Sequence, residues 1–251
     1  LEKLQRPYRL MGEILRRQKR DIIFNICQYG MGEVWRWGRE AGGHSWRTAG
    51  DLGLTFEGIA TGLFRDGFDL YSRRNLHEFA GPGGWNDPDY LLLGYLSNWQ
   101  GRTAPTPLTP NEQYTHVSLW CLVAAPLILG GDITRLDEFT VRLLTNAEVV
   151  EVDQDALGKP GRRVAQDPQE ETEVWVKEME DGSKVAGLFN RGEAEAVVTA
   201  RWADLGVAGS QRVRDLWRQK DLGVFREKFS APVPRHGAVL VRLWPAGEEQ
   251  R

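Results

Sequence analysis

The sequence predicts an α/β barrel segment followed by an antiparallel β domain, and three observations predict it. Short apolar runs alternate with helical stretches as far as about residue 155, as parallel strands joined by crossover helices do. Those runs end repeatedly in Gly and Asp, which suits a barrel that gathers its chemistry at the carboxyl ends of its strands. Around Asp155 to Pro168 the texture changes to runs of period two separated by turn residues.

The first element is an amphipathic helix within Leu1–Asp21, already under way where the chain opens and without a signal-peptide pattern. DIIFNICQYG then reads as a buried parallel strand, EVWRWGREA as a Trp-rich helix, GGHSWRTAGDLG as a small-residue segment, and Thr55 to about Arg74 as a further helix. Thr109 caps a helix with Pro110 at its first position, and that helix runs into APLILGGD, read as another buried strand. DEFTVRLLTNAEVVEVDQD supplies one more helix. Beyond it, EVWVKEMEDGSKVAGLFN is two alternating runs joined by Asp-Gly, a hairpin signal. EAVVTARW, QRVRDLW, FREKFSAPV and HGAVLVRLW continue the period of two. These runs supply their own apolar face, so residues from about Val164 are expected to fold separately. No repeat and no low-complexity segment interrupts the chain.

Composition narrows the function. The 251 residues, 41% hydrophobic, suffice for a sizeable core. With 32 Lys and Arg against 35 Asp and Glu, no basic field exists to hold nucleic acid. No run of 18 or more apolar residues is present, so no membrane helix is expected. Two cysteines are too few for a disulfide scaffold and set no compartment. Ten Trp stand out, because an indole face packs well against the C–H face of a sugar.

Trp46, Arg47 and Asp51 lie together in one such small-residue stretch. Asp51 reads either as a general acid, its pKa raised by partial desolvation, or as a helix cap. Arg47 reads either as a clamp on a substrate hydroxyl or carboxylate, or as half of a structural ion pair. In GPGGWNDPDY the glycines permit unusual backbone shapes while Pro88 stiffens the turn that holds Asp87 and Asp89. No His, Cys or Glu lies near these acids with ligand spacing, so no metal and no other cofactor is expected; carboxylates that accept sugar hydroxyls are the better reading. Cys27 and Tyr29 fall at a strand end, where ligand-facing groups are exposed, although Cys27 also reads as a small core residue. Among the four His, His44 is held in reserve for its place beside Trp46.

In this order, CQYG, SWRTAGD, GPGGWNDPDYLLLG, SLWCLVAAPLILGGD and LTNAEVVEVDQDALG resemble family 27 glycoside hydrolases, the α-galactosidase and α-N-acetylgalactosaminidase group, from about Ile22 to Gly161. The resemblance implies the C-terminal half of a (β/α)8 TIM barrel over residues 1–161 and an antiparallel β-sandwich over 162–251. It implies a retaining glycosidase that removes terminal α-linked galactose, with an α-galactoside as its partner and an extracytoplasmic or secreted setting. Arg47 and Asp51 match the family's Arg-x-x-x-Asp motif, which makes Asp51 the acid/base and Arg47 a ligand of the sugar's 2-hydroxyl region. Asp89 matches the second acid of Asn-Asp-Pro-Asp; Cys27, Tyr29 and Trp46 complete the substrate-binding set.

The chain also departs from the family pattern. It has no Lys-x-Asp nucleophile segment before Cys27 and no early acidic pair to read the axial 4-hydroxyl. Gln28 stands where Glu is usual, and Tyr90 where Met is common. Residues Gly30 to Gly32 lack the Ser/Ala pair of the N-acetylgalactosaminidases, which favours galactose. The alternatives are a sugar-binding barrel remnant without catalysis, an α-N-acetylgalactosaminidase and a β-L-arabinopyranosidase.

Overall fold

The computed structural model describes residues 1–53, 55–98 and 101–247. Helix α1 (Glu2–Arg16) sets Leu4 and Tyr8 against the core, while Leu10, Met11 and Ile14 face outward. Strands β1 (Asn25–Ile26), β2 (Ser45–Arg47) and β3 (Trp85–Asp87) then form a parallel three-stranded sheet in the order β1-β2-β3. Its register aligns Asn25 with Ser45 and Trp85, Ile26 with Trp46 and Asn86, and Arg47 with Asp87. Side chains alternate along a strand, so Asn25, Ser45, Arg47 and Asp87 share one face and Ile26, Trp46 and Asn86 the other.

The Trp-rich segment is one 3₁₀ turn, Val34–Arg36, not a helix. Glu33 before it is left-handed, and a side chain at Gly38 after it would collide with the Trp46 ring. The stretch after Thr55 is helical as expected, but mixed: a 3₁₀ turn, then α2 (Ile59–Gly62), a π-helical segment (Leu63–Leu70) and α3 (Tyr71–Arg73). Strands β4 (Tyr95–Ser97) and β5 (Thr103–Pro105) make a small hairpin. Helix α4 (Pro110–Leu122) carries the anticipated cap in full: Thr109 Oγ1 accepts from Glu112 N, and Thr109 N donates to the Glu112 carboxylate.

APLILGGD forms no strand: Leu129 meets Leu91 in a single parallel bridge and Gly131 meets Leu96 in a single antiparallel one. Leu127 and Ile128 instead line a cleft with Asn25, Ser45 and Trp85. The single helix expected next is two, α5 (Glu138–Leu144) and α6 (Ala147–Asp153). Asn146 divides them, accepting from Glu148 N and Val149 N while its amide donates to the carbonyls of Leu216 and Trp217.

The remaining strands are β6 (Arg162–Asp167), β7 (Thr172–Glu178), β8 (Lys184–Asn190), β9 (Ala196–Arg201), β10 (Ser210–Asp215), β11 (Lys220–Arg226), β12 (Lys228–Val233) and β13 (Ala238–Pro245). A short helix, α7 (Trp202–Leu205), follows β9. Six strands form an antiparallel sheet ordered β11-β10-β13-β8-β7-β6, and β12 pairs with β9 apart from it. The β7–β8 hairpin turns through Gly182 at φ +82, as Asp-Gly suggested. FREKFSAPV is not one strand: left-handed Glu227 divides it, and its halves enter different sheets.

One apolar cluster joins Val174, Leu188 and Val241 of the large sheet to Val198, Phe229 and Val233 of the pair. On the other side Trp175, Phe189 and Leu240 belong to the cluster that also holds Trp46, Leu119 and Trp120. Helix α4 lies between, touching α6 as well as β8 and β13. The expectation that the β region folds apart therefore meets a shared core.

Candidate active site

The three parallel strands end side by side, and Arg47 is the last residue of the central one. Its side chain is 7% exposed, and one nitrogen, Nη2, lies 2.9 Å from Asp89 Oδ2, 3.2 Å from Asp51 Oδ1 and 2.8 Å from the Gly50 carbonyl. The two carboxylates thus share a single cationic group. Arg47 Nε is buried without a hydrogen-bond partner among the described residues. The Tyr29 ring centre lies 5.7 Å from the Arg47 guanidinium carbon.

Asp89 is held from every side. Its carboxylate accepts from Leu52 N at 2.7 Å and Tyr90 N at 2.8 Å, and its carbonyl accepts from Trp120 Nε1 at 2.8 Å. Its φ of +140 lies in a region that L residues seldom enter, a strained conformation that surrounding contacts must impose. Asp87 accepts from Asp89 N at 3.0 Å and from Asn25 Nδ2 at 2.7 Å, which ties β1 to β3 across the sheet face. Burial pushes the carboxyls of Asp87 and Asp89 above their ordinary range, against the pull of Arg47 and their hydrogen bonds.

The residues singled out in the sequence fare differently. Arg47, Asp51, Asp89 and Tyr29 come together, and Cys27 lies beside Tyr29, pushing that hydroxyl above its ordinary pKa. Asp51 caps no helix, since the next turn begins at Phe56 with Thr55 as its cap. Its side chain is 46% exposed, more open than the partly desolvated acid expected. Trp46 is the correction: it is 0% exposed, its indole donates to Asn86 Oδ1 at 2.9 Å, and it lies in the core. A ring without open surface cannot stack on a sugar, so Trp46 supports the strand from behind. His44 Nδ1 accepts from Phe24 N at 3.0 Å and holds the start of β1. Asn25 was not anticipated; a polar amide inside FNIC, where strands disfavour Asn, was the available signal.

The arrangement offers a half-open carboxylate oriented by a fixed arginine, beside two buried carboxylates that can accept hydroxyls. Among the described residues no group of three or more His, Cys, Asp or Glu could hold a metal ion, and no helix is long and apolar enough to cross a membrane.

Acids gathered at the ends of parallel strands, joined to an antiparallel β region, define the class of protein to which comparison then assigns the chain. It belongs to the α-galactosidase family: residues 1–155 match the family described as alpha galactosidase A, and residues 169–243 that described as alpha galactosidase C-terminal beta sandwich domain. It is 34% identical over 238 residues to alpha-galactosidase 2 of Arabidopsis thaliana, covering 94% of this chain and 55% of that protein. To the alpha-galactosidase of Cyamopsis tetragonoloba it is 34% identical over 240 residues, covering 95% of this chain and 54% of the relative. The chain thus spans little more than half the length of these relatives. Among solved structures, a GH27 β-L-arabinopyranosidase of Geobacillus stearothermophilus superposes with a TM-score of 0.87 at 27% identity, over 98% of this chain and 55% of that one. Alpha-galactosidase I of Mortierella vinacea gives 0.78 at 25% identity, over 95% and 62%.

Proposed function

We propose that this chain is part of a retaining glycosidase that removes terminal α-linked galactose. The single observation that supports the reading best is the sharing of Arg47 between Asp89 and Asp51, which fixes one carboxylate and aims the other. In this reading Asp51 protonates the leaving oxygen and then deprotonates water, Asp89 accepts sugar hydroxyls, and Arg47 holds both in place while Tyr29 and Cys27 flank the sugar. Retention needs a second carboxylate about 5–5.5 Å from the first, acting as nucleophile. No Lys-x-Asp segment precedes Cys27, so the nucleophile is assigned to the length that the relatives possess beyond this chain. The three parallel strands and the Leu91–Leu129 bridge are then part of the C-terminal half of a (β/α)8 barrel within residues 1–161, and 162–251 form the sandwich domain.

Residues 1–251 alone should leave an aryl α-galactoside intact. A chain completed to the length of its relatives should release galactose as the α-anomer first, observed by proton NMR before mutarotation. Release of the β-anomer first would mean inversion and overturn the mechanism. Galactose binding without release would favour the non-catalytic reading.

A further inference from the structure

Asn25 is a half-buried amide in FNIC, a run whose other members are apolar, and strands disfavour Asn. Its side chain reaches across the sheet. Neighbouring strands lie about 4.8 Å apart, so β1 and β3 stand about twice that distance from each other with β2 between them. The central strand carries only the small Ser45 level with Asn25, and above it Asn25 Nδ2 donates to Asp87 Oδ2 at 2.7 Å. The amide thus holds one carboxylate oxygen of Asp87 in place.

Asp87 passes that constraint on. Pro88 offers no N–H, and beyond it the other oxygen of Asp87 accepts from Asp89 N at 3.0 Å. This bond pins the peptide that enters Asp89, whose φ of +140 would relax if the peptide were released. Asp89 Oδ2 in turn accepts from Leu52 N at 2.7 Å and lies 2.9 Å from Arg47 Nη2. Leu52 directly follows Asp51, and the same Nη2 lies 3.2 Å from Asp51 Oδ1 and 2.8 Å from the Gly50 carbonyl. The backbone on both sides of Asp51 and the cation beside its carboxylate are therefore tied to Asp89. Asp51 is 46% exposed, so its direction depends on these contacts more than on packing.

We propose that Asn25 is a positioning residue for Asp51, acting through Asp87 and Asp89 and touching no reacting atom. A proton donor must meet the leaving oxygen within hydrogen-bond reach, and a displacement of about 1 Å can cost about 100-fold in rate. The inference rests on the glycosidase reading above and extends its machinery to a residue on a different strand.

Asn25→Leu keeps the volume and removes the donor. In residues 1–251, hydrogen exchange followed by NMR should show the amides of Asp89 and Leu52 exchanging about tenfold faster, the worth of one lost hydrogen bond. The Trp202 amide, bonded to the Glu227 carbonyl in the β region, should be unchanged. In a chain completed to the length of its relatives, the substitution should slow cleavage of an α-galactosyl disaccharide by about 10–100-fold. The first step on an aryl galactoside with a good leaving group should slow far less, because only the disaccharide needs the proton from Asp51. Asn25→Ser, whose hydroxyl is one bond too short for Asp87, should reproduce both effects and serves if the leucine variant does not fold. Unchanged exchange at Asp89 and Leu52, or equal slowing of the two substrates, would overturn the positioning role and leave the glycosidase reading in place. A completed, unsubstituted chain that cleaves neither substrate would overturn that reading, and the role of Asn25 with it.

Discussion

The two regions of this molecule solve the same packing problem with opposite proportions of regular structure. The β region has strands of six to eight residues paired antiparallel along their length, with register shifts at Arg163/Ala165 and Val213/Arg214. The α/β region carries its site on strands of two and three residues, and long connections do the rest. Buried charge follows the same division. Glu173 of the large sheet is met by both Arg163 and Arg191 and also accepts from Trp175 Nε1, so it is fully matched. At the strand ends three acids gather around Arg47, and one of them stays half open. Matched charge holds a structure together; surplus acid beside one cation leaves hydrogen-bonding capacity for a ligand.

This difference can be broken most severely by cutting the molecule between its regions. Trp175, Phe189 and Leu240 are buried in the cluster that α4 completes, and each such side chain is worth about 1.5–3 kcal/mol when fully buried. A polypeptide of residues 162–247 should bind a hydrophobic dye and lose its cooperative thermal transition. A sharp transition in that fragment would show that the β pair alone supplies enough cover.

A smaller effect compares the two charge clusters. Arg47→Ala leaves Asp89 buried without its cation and should cost about 3–5 kcal/mol in urea denaturation. Arg163→Ala leaves Glu173 still paired with Arg191 and should cost under about 1 kcal/mol. Equal losses would mean that the strand-end cluster is no more dependent on its arginine than the sheet is on either of its own.

Acid perturbs the molecule gradually, with little loss close to neutral pH. His116 on α4 is fully buried, neither ring nitrogen has a partner among the described residues, and burial pushes its pKa down to about 3 from an ordinary 6.5. The folded state keeps the ring neutral while the unfolded chain takes up a proton. Stability is therefore complete above pH 6.5 and falls by about 1.4 kcal/mol per unit as pH drops toward 3. His116→Leu should flatten that part of a plot of melting temperature against pH. An unchanged slope would place the acid sensitivity elsewhere.

How much could be read from the sequence follows the same line between regions. The β7–β8 hairpin was legible because alternation and an Asp-Gly turn agree, and the Thr109 cap because its partner Glu112 is local. FREKFSAPV was misread because period two continues through Glu227 although the backbone turns there from one sheet to the other. In the α/β region APLILGGD has strand composition but only isolated bridges, since pairing depends on neighbours distant in sequence. Arg47, Asp51 and Asp89, which the fold brings together, stood out in the sequence because their motifs are compact. Trp46 was misassigned for a related reason: it shares that motif, yet alternation along β2 turns it to the opposite face from Arg47. Spacing identifies residues that are close along the chain, and only the pleat says which of them point the same way.

In the proposed mechanism Arg47 aims Asp51 to act first as acid and then as base. In a chain completed to the length of its relatives, Asp51→Asn should slow cleavage of an α-galactosyl disaccharide by about 10²–10⁴-fold, the usual worth of general acid/base assistance. The first step on an aryl galactoside with a good leaving group should survive, and added azide should restore turnover and yield the α-galactosyl azide. Equal slowing of both substrates, with no α-azide formed, would contradict the assignment of Asp51.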